Sequence, residues 1–256
     1  MKLKTLAVVA LMLVAAAPTM AEEQSSEPKA ELKLKTHFNP LYAKFGQNST
    51  TKLTVISGPV DVKMRNHGVP GKCWIATCGK YRMKLTIENS VGYDLCSLIE
   101  HIEKIPGPYI RACQAVSDEK EDGIAVYADL GGASAHGGKQ YINIVPRASA
   151  LTLAHEMGHT LEQIARESDS AILDRWDKAI TADNISVSDY GDKVRHEDLA
   201  EFAQVYAVCL DHGPESLVEL KQLSPERYSL WEEILEEPKG SPVNSRPIPQ
   251  SEVGAP

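Results

Sequence analysis

Leu153-Ala154-His155-Glu156-Met157-Gly158-His159-Thr160-Leu161-Glu162 carries the pattern H-E-x-x-H. On an α-helix, residues four apart lie on one face, about one turn (~5.4 Å) from each other. Both imidazoles can then reach a single cation, and the intervening Glu156 is placed to move a proton at a water in the same site. The stretch therefore predicts a Zn2+ site with His155 and His159 as ligands and Glu156 as general base. The surrounding sequence supports a helix over residues 148–166. Leu151, Ala154, Leu161 and Ile164 recur at helical spacing, Pro146 precedes them, and Arg166-Glu167-Ser168 is polar enough to end the run.

Composition narrows the class. The 256 residues are 43% hydrophobic and 24% charged, enough apolar material for a core in one or two domains. A net charge of −8 with no long basic run argues against a nucleic-acid partner. Lys2 and Lys4 followed by the apolar run 6–17 and by Thr19-Met20-Ala21 read as a signal peptide cleaved near Ala21. The run is too short to span a bilayer comfortably, and no later one is long enough, so no stable membrane insertion is expected. The expected location is secreted or periplasmic. Export permits disulfides. Cys73 with Cys78, and Cys96 with Cys113, are candidate pairs, and Cys209 leaves the count odd. Spacing does not fix the connectivity, and without a C-x-x-C pair a cysteine zinc site is weakly indicated.

The remainder divides as follows. Residues 22–36, rich in Glu, Lys and Ser, read as a disordered leader. Residues 37–87 form a β-rich region, with alternating strands at 52–56, 60–64 and 81–87 punctuated by Gly58-Pro59, Asn66-His67-Gly68 and Pro70-Gly71. It is either a small β domain or the opening sheet of a domain spanning 88–237. In that domain an amphipathic helix over 94–104 is followed by a short one over 109–116 and a charged loop. Strands at 124–129 and 140–145 flank a glycine-rich loop, 130–138, that lacks the phosphate-binding pattern. Either strand could pair with an extended substrate. His136 in the loop could line a cleft, but an exposed position is the stronger reading. Helices follow over 170–182, 196–210, 214–223 and 225–236, and residues 238–256 read as a disordered tail.

A catalytic zinc takes three protein ligands. The metzincin continuation needs Gly at position 162 and His at 165, where this chain has Glu162 and Ala165, so that class is excluded. The apolar helix beginning His196-Glu197-Asp198-Leu199-Ala200-Glu201 offers two carboxylates four apart on one face. One can bind zinc, and the other can accept the free N–H of a ligand histidine. Buried carboxylates need such partners.

Tyr190-Gly191, Glu197 and Ala200-Glu201, with seven residues from Tyr190 to Glu197 and four from Glu197 to Glu201, resemble the lethal-factor-like gluzincins. That family contains the catalytic domain of anthrax lethal factor and the Pro-Pro endopeptidases. The resemblance covers about residues 124–210. It implies an α+β, zincin-like fold with a small sheet, an H-E-x-x-H helix and a helical C-terminal half. It also implies His155, His159 and Glu197 as zinc ligands, Tyr190 facing the substrate oxyanion, and Glu201 as an outer partner. The implied activity is that of a zinc metalloendopeptidase, a hydrolase acting on protein or peptide substrates. Two alternatives stand beside it. An aspzincin-type site would use Asp189 as third ligand, although Val187 stands where that pattern places its aspartate. A secreted protein that binds zinc without cleaving is the other.

Overall fold

The computed structural model describes residues 32–117 and 122–236. The expected signal peptide, most of the leader, part of the charged loop and the C-terminal tail lie outside the described residues. The chain opens with two single-turn helices, α1 (Leu34–His37) and α2 (Asn39–Tyr42). Three strands follow: β1 (Thr54–Lys63), β2 (Pro70–Cys78) and β3 (Tyr81–Glu88). Next come α3 (Leu95–Glu103), α4 (Ile110–Ala115), β4 (Ile124–Val126), β5 (Ala135–Gly138) and β6 (Tyr141–Ile144). The remaining elements are helical: α5 (Ala150–Ser168), α6 (Ile172–Asp183), α7 (Asp189–Lys193), α8 (Arg195–His212), α9 (Pro214–Leu223) and α10 (Pro225–Leu235).

The architecture is mixed α+β around one six-stranded sheet in the order β1-β2-β3-β4-β6-β5. The pairings β1–β2, β2–β3 and β5–β6 are antiparallel, whereas β3–β4 and β4–β6 are parallel. Register places Leu85, Ile124 and Ile142 in one cross-strand row and Ile87, Val126 and Ile144 in the next. All six are buried. Residues two apart share a face, so these rows form one apolar side of the sheet, which α4 and α5 cover.

Region 37–87 is thus not a separate β unit. Its last strand, β3, pairs directly with β4, because Leu85 and Ile87 would otherwise expose a hydrophobic face. The expected strands at 52–56 and 60–64 are one strand, β1, with register shifts between Val55 and Val60. Pro70-Gly71, read as punctuation, opens β2. Its proline stands first in the strand, where Pro is tolerated. Part of the glycine-rich loop is the edge strand β5. The leader also ends earlier than expected, since Leu34 is fully buried and Lys33 bridges Ser186 in parallel.

No disulfide forms among the described residues. Cys73 and Cys78 both lie on extended β2. Five residues of strand span roughly 16 Å, against about 4.4–6.8 Å between the Cα atoms of a bridged pair. Cys96 is exposed and Cys113 buried. No described helix is long and apolar enough to cross a membrane.

Two helices position the site. α5 starts at Ser149, whose side chain accepts the Thr152 N–H at 3.1 Å. α8 is buried nearly all round, from Glu197 through Cys209, and packs on α5, α7 and α9. Apolar residues on most of its faces seat this helix in the core, and the carboxylates on it are carried inside as well.

Candidate metal centre

His155 and His159 project from one face of α5, with ring centroids 5.0 Å apart and planes nearly perpendicular. The first turn of α8 presents Glu197 to them. Glu197 Oε2 lies 3.0 Å from His155 Nε2 and 3.1 Å from His159 Nε2. The ligand atoms of the three residues lie within 4.8 Å of one another. Two imidazole nitrogens and one carboxylate oxygen, converging from two rigid helices, can hold a metal ion.

The helices approach this closely because of Gly158. A Cβ there would stand 2.7 Å from Ala203 Cβ and 3.2 Å from Ala200 Cα. Small residues at 158, 200 and 203 therefore bring α8 near enough to α5 for Glu197 to reach both rings.

Glu201, one turn beyond Glu197, is buried. Its Oε1 lies 3.2 Å from His155 Nδ1. A hydrogen bond from Nδ1–H to this carboxylate orients the ring and directs Nε2 into the cluster. Burial pushes the Glu201 carboxyl up, but hydrogen bonds from His155, Lys35 and Ser188 more than offset it and hold the pKa at about 2. For His155, burial disfavours the charged ring, yet Glu197 and Glu201 raise its pKa to about 9. Glu197 is likewise pushed up by burial and drawn well below the ordinary range by both histidines. The cluster thus demands positive charge between its carboxylates, which a proton or a metal cation can supply.

Glu156 sits beside the cluster and is buried. Burial is the main cause of its raised pKa. The charge of Glu197 adds to it, while His155, His159 and His136 oppose it. A carboxylate made more basic in this way suits proton transfer. The edge strand β5 passes directly over Glu156 at Gly137. A Cβ on Gly137 would lie 2.6 Å from the Glu156 carbonyl oxygen and 2.7 Å from its Oε2, so only glycine fits without displacing one of them.

Tyr190 enters on α7. Ser188 caps that helix, its Oγ accepting the Gly191 N–H at 3.0 Å. The Tyr190 side chain is about half exposed. Partial burial raises its pKa, as do the charge of Glu197 and a hydrogen bond to it, with smaller contributions from Glu156 and Glu201. The structure therefore brings all six expected residues, His155, Glu156, His159, Tyr190, Glu197 and Glu201, to one place. Asp189 is elsewhere. Its carboxylate is exposed, pairs with Lys33, and is not one of the three clustered ligands.

Sequence reasoning missed three contributors. His196 Nε2 lies 3.1 Å from Glu197 Oε1. It stood next to a candidate ligand without a role. Ser188 reaches Glu201 from the segment ahead of Tyr190. Lys35 Nζ lies 2.8 Å from Glu201 Oε2, from a segment read as leader. No local pattern marks such a lysine. Comparison with known proteins returned no matching family model, no matching curated protein and no matching solved structure.

Proposed function

We propose that the protein is a zinc-dependent metalloendopeptidase of zincin-like fold, secreted or periplasmic, which hydrolyses bonds in protein or peptide substrates. The observation that carries this reading is the convergence of His155, His159 and Glu197 beside a buried, basic Glu156. The export reading rests on the basic start and apolar run of the first 21 residues.

The donor set of two imidazoles and one carboxylate is one that zinc favours. A zinc ion held there would act as a Lewis acid, lowering the pKa of a water at the site from about 15.7 toward about 7. Glu156 takes the proton of the attacking water and delivers it to the leaving amine nitrogen. Its raised basicity and its place on the same helix face suit both transfers. The Tyr190 hydroxyl donates to the substrate carbonyl oxygen as negative charge develops there. Glu201 keeps the His155 ring in its productive orientation. The edge strand β5, pairing only with β6 among the described strands, runs past Glu156 and offers backbone groups to an extended peptide.

Glu156→Gln tests the proposal. The variant should retain one zinc per chain and cut nothing in a proteome-derived peptide library in which the unaltered protein gives mapped cuts. Normal cleavage by the variant would refute the mechanism. Bound zinc in the unaltered protein without any cut would favour a binding protein instead.

A further inference from the structure

The N-terminal segment is tied to the site more closely than packing requires. Lys33 bridges Ser186 in parallel. The Leu34 N–H donates to the Ser186 carbonyl at 2.9 Å, and the Lys35 N–H to the Val187 carbonyl at 3.0 Å. Leu34 and Phe38 are buried and anchor the segment on both sides of Lys35. Ser186 and Val187 lead directly into Ser188 and α7, which carries Tyr190. From this strap the Lys35 ammonium reaches Glu201 Oε2 at 2.8 Å, while Glu201 Oε1 faces His155 Nδ1 at 3.2 Å. The two oxygens of one buried carboxylate are thus held from two distant segments of the chain, the N-terminal strap and α5.

We infer that Lys35 is a positioning residue of the metal centre, holding Glu201 in the orientation that directs the His155 ring; this rests on reading the cluster as a metal centre. A buried carboxylate is tolerated only when its charge is matched. His155 Nδ1–H can satisfy Oε1, but a ring that also gives its other nitrogen to a cation is neutral and brings no charge. Lys35 is then the full positive charge in contact with Glu201. Without it, Glu201 gains by turning toward water, and His155 loses its orienting acceptor. Lys33 serves as an internal control. It belongs to the same strap and pairs with Asp189 and Asp192, without contacting Glu201.

The test uses the full chain and Zn2+ alone, titrated against a competing chelator. Loss of an outer partner of a metal ligand typically lowers metal affinity roughly ten- to a hundredfold. Lys35→Met should fall in that range. Lys35→Arg should recover most of the affinity, and Lys33→Met should leave it unchanged. Crystal structures of Lys35→Met and Lys35→Arg grown in saturating Zn2+ read Glu201 directly, with no substrate needed. Glu201 should turn away from His155 in the first and stay in the second. Unchanged Zn2+ affinity in Lys35→Met, or Glu201 still against His155 in its crystal structure, overturns the inference. If the unaltered chain binds no Zn2+, the metalloendopeptidase reading fails and this role for Lys35 fails with it; if it binds Zn2+ and Lys35→Met binds as tightly, only the role of Lys35 fails.

Discussion

Gly158→Ala separates helix propensity from site geometry. In an ordinary helix interior the change stabilises by about 1 kcal/mol. Here the new Cβ would meet Ala203 Cβ at 2.7 Å, whereas carbon atoms in good contact sit about 3.5–4.0 Å apart. α8 must retreat from α5 by about 1 Å, and overpacking of this kind typically costs about 1–3 kcal/mol. The two effects partly cancel, so stability should fall by no more than roughly 2 kcal/mol. The site does not share that cancellation. Glu197 and Glu201 ride on the retreating helix, and their contacts of 3.0, 3.1 and 3.2 Å to the histidines would open. A 1 Å misplacement can cost on the order of a hundredfold in rate. Urea melts, chelator competition for Zn2+ and peptide cleavage should therefore diverge, with a small stability change beside a large loss of affinity and turnover. Adding Ala203→Gly removes the Cβ–Cβ clash and should restore much of both, as coupling between touching residues requires. A Gly158→Ala protein that is about 1 kcal/mol more stable and binds zinc normally would refute the claim that residue 158 sets the helix separation.

Three further outcomes are expected. Because the His155 pKa is raised from its ordinary value of 6.5 to about 9, its contribution to the stability of the metal-free protein is complete below pH 6.5 and lost as pH rises through 9. That loss is on the order of 3 kcal/mol. Zinc binds the neutral ring, so the alkaline decline in urea melts should vanish in saturating zinc; a decline that persists there would remove His155 from the ligand set. Arg227→Met takes away a fully buried guanidinium lying 3.1 Å from Asp183 and 3.0 Å from Asp198, the residue after Glu197. Breaking such a pair costs roughly 3–5 kcal/mol, and a urea melt showing less than about 1 kcal/mol would mean the pair is not what seats α8 on α10. Tyr190→Phe should lower kcat roughly a hundredfold with KM and zinc content little changed, and full activity would exclude Tyr190 from catalysis.

Much of this site was readable because it is local. The spacing of His155, Glu156 and His159 has meaning on any helix, since a fixed rise per residue puts the two histidines on one face. The same holds for Glu197 and Glu201. The helical stretches around them were legible from apolar spacing, and α5 and α8 form where that spacing placed them, within a few residues. β2 and β5 were not legible. A strand that begins at Pro70, and another made of Ala135-His136-Gly137-Gly138, carry turn residues, and only pairing with neighbours makes them strands.

By itself, then, the sequence determined the candidate donor types, their order along two helices and the carboxylate proposed for proton transfer between the histidines, because each depends on residues within about one turn of each other. The tertiary structure decided the distance between the helices, which rests on Gly158 meeting Ala200 and Ala203. It decided that β5 passes over Glu156, which rests on Gly137. It also brought Lys35 to Glu201 across 166 positions of chain. Those contacts arise from burial of apolar faces throughout the fold, and no short-range pattern records which residues burial will bring together.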